Sequence, residues 1–499
     1  MNRAMPWLLA AASGLVLALG LPGPGWTLLV IVFPGLLLEA IGRSSGRAMP
    51  WLLGWFAGCV HWVVATNWVV PVMHHYGGLP RILAVGCLIG MGAILGTLWA
   101  AAAGITSLVP PERRVWILPF AWIACQVLRR FPPFGFTWNG VASAFVDWPW
   151  LMASLPVWGA TGLSCSVVAL GSALWALVRP ASRRDGVIVA LVAGVLLVLA
   201  VIVAPSPSPA GSAVTVAAIQ PGTTLKEKWD PSQSHEIARR VWAMTEEAAL
   251  KGAEIVLWPE GAVPYRVDND PAYRAAVEGL AAERGVEIVL NSIASISDGG
   301  YANSAYLVTG SGLSPVRYDK IHLVPFGEFV PRWARFAFTE SLVREVGAFT
   351  PGESVALLPA RAPLGVAICF EVVFPDLAAA QARAGAEILT TLTNDGWYGF
   401  SWAPRQHFAQ VRLRAAEAGR WYARAALTGI SGFVDPSGRV HSMLEVGETG
   451  IVIAEIQPLS GLTPRARWGD WWAVLCAVAT GVLLITGRKR RTANQNRNN

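Results

Sequence analysis

The sequence predicts a polytopic α-helical membrane domain joined to a layered α/β domain. Three observations predict it. Hydrophobic residues make up 54% of the chain and charged ones only 14%, against roughly a quarter charged in an ordinary soluble domain. The apolar residues concentrate before residue 205 and again after Trp468. Between those limits, runs of β-branched and apolar residues alternate with amphipathic stretches, as strands and helices do in a layered domain.

Crossing the hydrocarbon of a bilayer takes about 20 residues of helix. Seven segments of that kind centre near Ser13, Phe33, Val60, Ile94, Ala121, Ala169 and Val195, and an eighth runs from Asp470 to Gly487. Turn and charge signals separate them: LPGPG at 21–25, GRSSGR at 42–47, PPERR at 110–114 and RPASRRD at 179–185. The expected division is a membrane domain with seven transmembrane helices at 1–205, an α/β domain at 206–467, an eighth transmembrane helix at 468–488 and a basic tail at 489–499.

Orientation follows from the basic residues. An N-terminus on the inside puts Arg3, Arg43, Arg47, Arg113, Arg114, Arg179, Arg183, Arg184 and the tail cations of residues 488–497 on the cytoplasmic side. The opposite loops hold only Arg81, Arg129 and Arg130. The positive-inside rule then places the α/β domain outside, with both termini cytoplasmic. The overall charge of +7 says nothing about nucleic acid, because it divides into +11 for the membrane part (16 basic, 5 acidic) and −4 for residues 205–468 (23 basic, 27 acidic). A transporter is disfavoured, since the apolar segments carry almost no ionisable residue beyond Glu39 and coupled transport places such groups within helices.

After the linker PSPSPAGS at 205–212, the strand-like runs are AVTVAAIQ, EIVLWPE, VEIVLNSIAS, SAYLVTG, LGVAICFE, AEILTTLTND, LTGISGFVDPSG and GIVIAEI. Residues 232–251, 271–284, 375–385 and 404–424 read as helices. Chemistry in such a domain gathers where strands end and the chain turns.

Five of the six cysteines, Cys59, Cys87, Cys125, Cys165 and Cys476, lie in membrane segments, and only Cys369 lies in the α/β domain. A free cysteine is commonly a buried core residue. Cys369, however, closes an apolar run and precedes Phe370 and Glu371, a position expected to expose its thiol to the strand-end cleft. A thiol has a reference pKa of about 8.5 and is mostly protonated near neutrality, so a nucleophilic cysteine wants a base and a cation. Glu260 ends EIVLWPE after the strand-stopping Pro259, and Lys320 follows the strand-like PVRYD. Each alone reads as a surface charge. Together they offer a base for the thiol proton and a cation for developing oxyanion charge.

WPE at 258–260, YDKIHLVPFGE at 318–328, ICFE at 368–371, TNDGWYG at 393–399 and RAAEAGR at 414–420 resemble the carbon–nitrogen hydrolase (nitrilase) superfamily. With the membrane segments, and with NWVVPVMHHYGGLP at 67–80 and FGFTWNG at 134–140, the chain is similar to that superfamily's membrane-anchored branch, the bacterial apolipoprotein N-acyltransferases. The resemblance implies an αββα sandwich with Glu260, Lys320 and Cys369 as catalytic triad and Glu328 as a further carboxylate supporting the lysine. Trp229, Asn303 and Glu371 match other functional positions. Phe370 stands where a tyrosine is common, and Gly261 where threonine is usual after WPE.

The implied reaction moves an acyl chain from a phospholipid donor, through a Cys369 thioester, to the α-amino group of a diacylglyceryl-modified apolipoprotein. It implies no cofactor and no metal, and a site in the bacterial inner membrane with the catalytic domain on the periplasmic side. The nearest alternative is a tethered amidase that releases its acyl group to water. Between Lys320 and Cys369, Phe326, Trp333, Phe336 and Phe349 alternate with arginines. That stretch is either a packed loop or an amphipathic arm that enters the bilayer interface and admits acyl chains, and Trp397 in WYGFSWAP would face it.

Overall fold

Two kinds of hydrophobic pattern give two kinds of unit in the computed structural model, which describes residues 3–132, 134–297, 299–330 and 349–495. Met1–Ala204 with Trp468–Asn499 form one unit, and Pro205–Arg467 form the other.

In the first unit a helix covers each predicted apolar segment: Met5–Gly20, Leu29–Arg43, Met49–Ala65, Arg81–Ser107, Arg114–Gln126, Leu155–Leu177, Arg183–Ile202 and Trp471–Gln495. By length and composition, three are able to cross a membrane, Arg81–Ser107, Leu155–Leu177 and Pro180–Ile202. A fourth span results if Met49–Ala65 and Val69–Tyr76, bent by 64°, count as one. Leu29–Arg43 and Arg114–Gln126, at 15 and 13 residues, are shorter than a full crossing.

Small residues let these helices approach closely. A Cβ on Gly58 would fall 2.7 Å from the Cα of Gly96, so Met49–Ala65 and Arg81–Ser107 meet almost backbone to backbone. Two carboxylates of this unit are paired. Glu39 accepts from Arg43 at 2.6 Å and from Trp175 Nε1 at 3.1 Å, and pairs with Arg179. Asp470 accepts from Thr161 at 2.6 Å and pairs with Arg130. One of the few further ionisable groups on these segments, His61 of Met49–Ala65, is buried beside Trp62 and Trp99.

The second unit holds two six-stranded sheets. One runs in the order Gly450–Ile456, Val214–Gln220, Ile255–Leu257, Glu287–Ser295, Tyr301–Thr309, Gly312–Asp319, and the other in the order Val440–Leu444, Ser431–Val434, Tyr422–Ala426, Ile388–Thr393, Pro363–Ile368, Leu357–Pro359. Alternation along each strand divides its side chains between two cores. Val216 and Ala218 join Val289 and Leu307 of their own sheet and Leu364, Val366, Ile388 and Ala423 of the other. Ala217 and Ile219 instead pack with Val241 and Val277, from helices Ser234–Leu250 and Pro271–Arg284. Helices Pro375–Arg383 and Ala403–Ala418 follow strands of the second sheet. This is sheet on sheet between helical layers.

Several element boundaries differ from the sequence reading. The helix expected over 404–424 ends at Ala418, because Gly419 takes a left-handed φ of 63°, the usual way a helix is closed. Residues Tyr422–Ala426 then form a central strand. The run EIVLWPE yields only Ile255–Leu257, and LTGISGFVDPSG only Ser431–Val434. Strands Gly312–Asp319, Leu357–Pro359 and Val440–Leu444 complete the sheets. The strand ending LGVAI stops at Ile368, and Cys369–Val373 is a short 3₁₀ turn.

Candidate active site

Pro259 lacks a backbone donor and so cannot extend the strand ladder; the chain leaves strand Ile255–Leu257 and presents Glu260 just beyond it. Trp258 anchors that exit, fully buried, with Nε1 donating to Thr245 Oγ1 at 2.9 Å. The Glu260 carboxylate is held at both oxygens. Oε1 accepts from Asn303 Nδ2 and Oε2 from the Asn394 backbone N–H, each at 3.0 Å.

Lys320 directly follows strand Gly312–Asp319 and is 1% exposed. Its Nζ donates to Glu328 Oε1 at 2.8 Å and lies 3.8 Å from Glu260 Oε1. Burial opposes its charge, but Glu328, Glu260 and Cys369 outweigh that and hold the ammonium above the usual lysine range. Glu328 is fixed in turn: Oε1 also accepts from Asn303 Nδ2 at 3.0 Å, and Oε2 from Val324 N–H at 2.7 Å. Asn303 thus spans both carboxylates, and its Oδ1 accepts from Asn291 Nδ2 at 2.6 Å. Asn291 Oδ1 completes the relay by accepting from Gly261 N–H at 2.9 Å.

Cys369 begins the turn after strand Pro363–Ile368 with a left-handed φ of 53°, a conformation that costs a side-chain-bearing residue energy and clusters at functional sites. The thiol is not open to a cleft as expected. Cys369 is 6% exposed and belongs to the core between the sheets with Ile368 and Leu392. Burial pushes its thiol up, Glu260 adds to the rise, and Lys320 opposes it.

Behind Cys369 lies a network that the sequence did not suggest. His407 Nε2 faces the Cys369 carbonyl at 3.1 Å, and its Nδ1 lies 3.0 Å from both Asp395 Oδ1 and Arg424 Nη2. A carbonyl can only accept, so Nε2 carries the hydrogen, while Nδ1 meets both a carboxylate, which accepts, and a guanidinium, which donates. Arg424 also donates to Asp395 Oδ2 at 2.6 Å. All three side chains are fully buried. Burial alone would raise the Asp395 carboxyl, but Arg424 and His407 hold it below the usual carboxylate range.

The remaining predicted residues fall into four groups. Glu371 is fully buried and accepts from Tyr318 Oη, from Ile321 and His322 N–H and from Ile368 N–H, at 2.7–3.0 Å. It ties the segment after Lys320 to the turn that begins at Cys369. Phe370 packs edge-on against Phe374 at 5.3 Å. Trp229, 56% exposed, meets Trp397 edge-to-face at 5.4 Å. Trp333 and Phe336, the centre of the expected aromatic arm, lie outside the described residues.

Family comparison agrees with this architecture. The apolipoprotein N-acyltransferase N-terminal domain matches residues 13–173, and the carbon-nitrogen hydrolase domain matches residues 215–465. The apolipoprotein N-acyltransferase of Geobacter metallireducens is 31% identical over 97% of this chain and 96% of its own. That of Methylococcus capsulatus is 30% identical over 98% of both. Among solved structures, an amidase from Nesterenkonia sp. aligns with 50% of this chain and 92% of its own at 23% identity and a TM-score of 0.38. A branch 10 nitrilase-superfamily member from Saccharomyces cerevisiae aligns with 51% and 93% at 19% identity and a TM-score of 0.40. The chain belongs to the apolipoprotein N-acyltransferase family, whose catalytic domain is a carbon-nitrogen hydrolase.

Proposed function

We propose that this protein transfers a fatty acyl group from a phospholipid to the α-amino group of the N-terminal diacylglyceryl-cysteine of apolipoproteins, through a thioester on Cys369. The observation that carries the mechanism is the buried Lys320 ammonium, hydrogen-bonded to Glu328 and 3.8 Å from Glu260, in a centre whose charges also act on Cys369.

In the first half-reaction Glu260 takes the Cys369 proton as sulfur attacks the ester carbonyl carbon. Lys320 donates to the oxyanion that forms. The intermediate collapses by breaking the ester C–O bond, and the proton on Glu260 passes to the departing glycerol oxygen, releasing a lysophospholipid. In the second, the neutral α-amine attacks the thioester carbon and Glu260 accepts a proton from nitrogen. The C–S bond breaks, and that proton returns to sulfur. Two half-reactions through one acyl-enzyme give ping-pong kinetics. Burial of Cys369 favours an amine over water as acceptor, since a closed site suppresses hydrolysis of a reactive intermediate.

Both substrates reside in a bilayer, which accounts for joining a hydrolase-type domain to a helical membrane unit. Eight crossings, with cytoplasmic termini and an outward catalytic domain, fit the distribution of basic residues. Mass analysis of lipoprotein N-termini from cells with and without this protein tests the activity. Loss of one amide-linked acyl chain in its absence is expected. An unchanged N-terminus, or free fatty acid as the main product in reconstituted vesicles, would overturn the assignment.

A further inference from the structure

The loop that follows strand Val214–Gln220 ends in a short helix, Leu225–Lys228. A reciprocal cap fixes it: Thr224 Oγ1 accepts from Glu227 N–H at 3.2 Å, and Glu227 Oε2 accepts from Thr224 N–H at 2.7 Å. Leu225 is buried beneath it, and Trp229 beyond it meets Trp397. Its last residue, Lys228, is thereby directed at the catalytic centre. A Cβ placed on Gly261 would fall 2.1 Å from Lys228 Nζ and 3.1 Å from Cε. The ammonium occupies the space that any other residue at position 261 would fill, directly beside Glu260. The half-buried Lys228 side chain has, among the described residues, no hydrogen bond or ion pair of its own. Burial pulls its ammonium below the usual lysine range, and the charges of Glu260 and Cys369 oppose that.

We infer that Lys228 is a second cation of the catalytic centre, given room by Gly261, and that it stabilises the anionic sulfur of Cys369. Among the other groups facing Cys369, Lys320 favours a thiolate but is shared with two carboxylates, Glu328 and Glu260. Glu260 and Asp395 are anions that oppose a thiolate, and Thr393 supplies only a hydroxyl. Tyr398 is half-buried and kept protonated. Lys320 is committed to Glu328 at 2.8 Å, and Arg424 to Asp395 at 2.6 Å. Glu260, Glu328 and Lys320 together carry one net negative charge, which would repel a second on sulfur; Lys228 brings the cluster to neutrality. Charge of this kind, close to a thiol, is the ordinary means of making it a nucleophile. Lys228 acts here as a positioning residue, through Cys369.

The inference rests on the reading of Cys369 as nucleophile, and its test uses no acyl substrate. The full-length protein in detergent micelles is treated with iodoacetamide, a neutral alkylating agent, from pH 6 to 10. Modification of the Cys369 peptide is followed by mass spectrometry. Lys228→Met is expected to move the rate profile upward by about one pH unit, making alkylation about tenfold slower at pH 8. Lys228→Arg should keep most of the wild-type rate. Gly261→Ala, by displacing the ammonium, should reproduce much of the shift in the wild-type background and add nothing to Lys228→Met. An unshifted profile in Lys228→Met at an unchanged melting temperature would overturn the inference. So would full additivity of the two substitutions, or normal alkylation combined with slow turnover of phospholipid alone, which would make Lys228 a reader of an anionic head group. Should Lys228→Met fail to fold, Lys228→Arg and Gly261→Ala decide the same question. Loss of lipoprotein acylation as an activity would leave these alkylation rates interpretable.

Discussion

His407 Nε2 donates to the backbone carbonyl of Cys369 at 3.1 Å, from a ring that Asp395 and Arg424 hold on its far side. The bond acts on the peptide that follows a left-handed residue, so it helps to keep Cys369, the proposed nucleophile, in its uncommon conformation. His407→Ala should leave that carbonyl unsatisfied, at a cost of about 1–3 kcal/mol, and lower the rate of Cys369 acylation by about 10- to 100-fold. His407→Gln, which retains a side-chain donor, should recover part of the loss. Stopped-flow acylation by a short-chain thioester measures both, and equal rates in wild type and His407→Ala would remove the histidine from the mechanism.

Glu260→Gln should prevent acyl-enzyme formation, because the amide cannot take the thiol proton. Lys320→Met should lower the same step by about 10²–10³, the usual effect of losing one oxyanion donor. Labelled phospholipid and hydroxylamine-labile label on the Cys369 peptide report the step. A normal rate of labelling in Glu260→Gln would show that another group is the base.

Glu328 is the direct partner of Lys320, and breaking a buried ion pair from one side costs about 3–5 kcal/mol. Glu328→Gln removes the largest influence holding the lysine charged. The variant should therefore lose residual activity as pH rises through a range in which the wild type keeps its own. A pH–rate profile parallel to wild type would mean that Glu328 does not govern the lysine.

Glu371 carries a pH dependence of stability. Burial lifts its carboxyl from 4.5 to about 7, despite the donors from His322, Ile368 and Tyr318. The folded protein then holds this proton more tightly than the unfolded chain. The stabilisation is complete below pH 4.5 and is lost as pH rises through about 7, by at most about 3 kcal/mol. Melting temperatures should fall across that interval in wild type, and Glu371→Ala should flatten the fall while lowering stability throughout. An identical slope in both would assign the dependence to another group.

Much of this arrangement was legible in the sequence where the signal is local. Apolar runs of about 20 residues announce helices, and each of the eight carries one. The strand-end positions of Glu260, Lys320 and Cys369 follow from the β-branched runs before them. The misreadings come from signals that are not local. RWYARAAL has alanines and arginines at helical frequency, yet parallel pairing with Ile388–Thr393 makes Tyr422–Ala426 a strand. Asp395, His407 and Arg424 are separated by 12 and 17 positions, with no spacing that marks them as partners, and only the fold joins the end of one strand, a helix and the next strand. Lys228 sits in LKEKWD, where it reads as one more solvated charge on a short helix. The exposure expected for Cys369 failed because a strand terminus need not be a cleft: the second sheet's core closes over the turn.

The left-handed backbone at Cys369 sets function against durability. A side chain there costs about 1–2 kcal/mol relative to a residue at ease in that region, whereas glycine adopts it freely. Cys369→Gly should therefore fold at least as well as Cys369→Ala and melt at a higher temperature, while being equally inert. As the proposed acyl carrier, Cys369 is for the backbone alone a poor choice, and chance replacement by glycine would relieve the backbone while removing the thiol. Selection on stability cannot hold the cysteine in place; only selection on the reaction can.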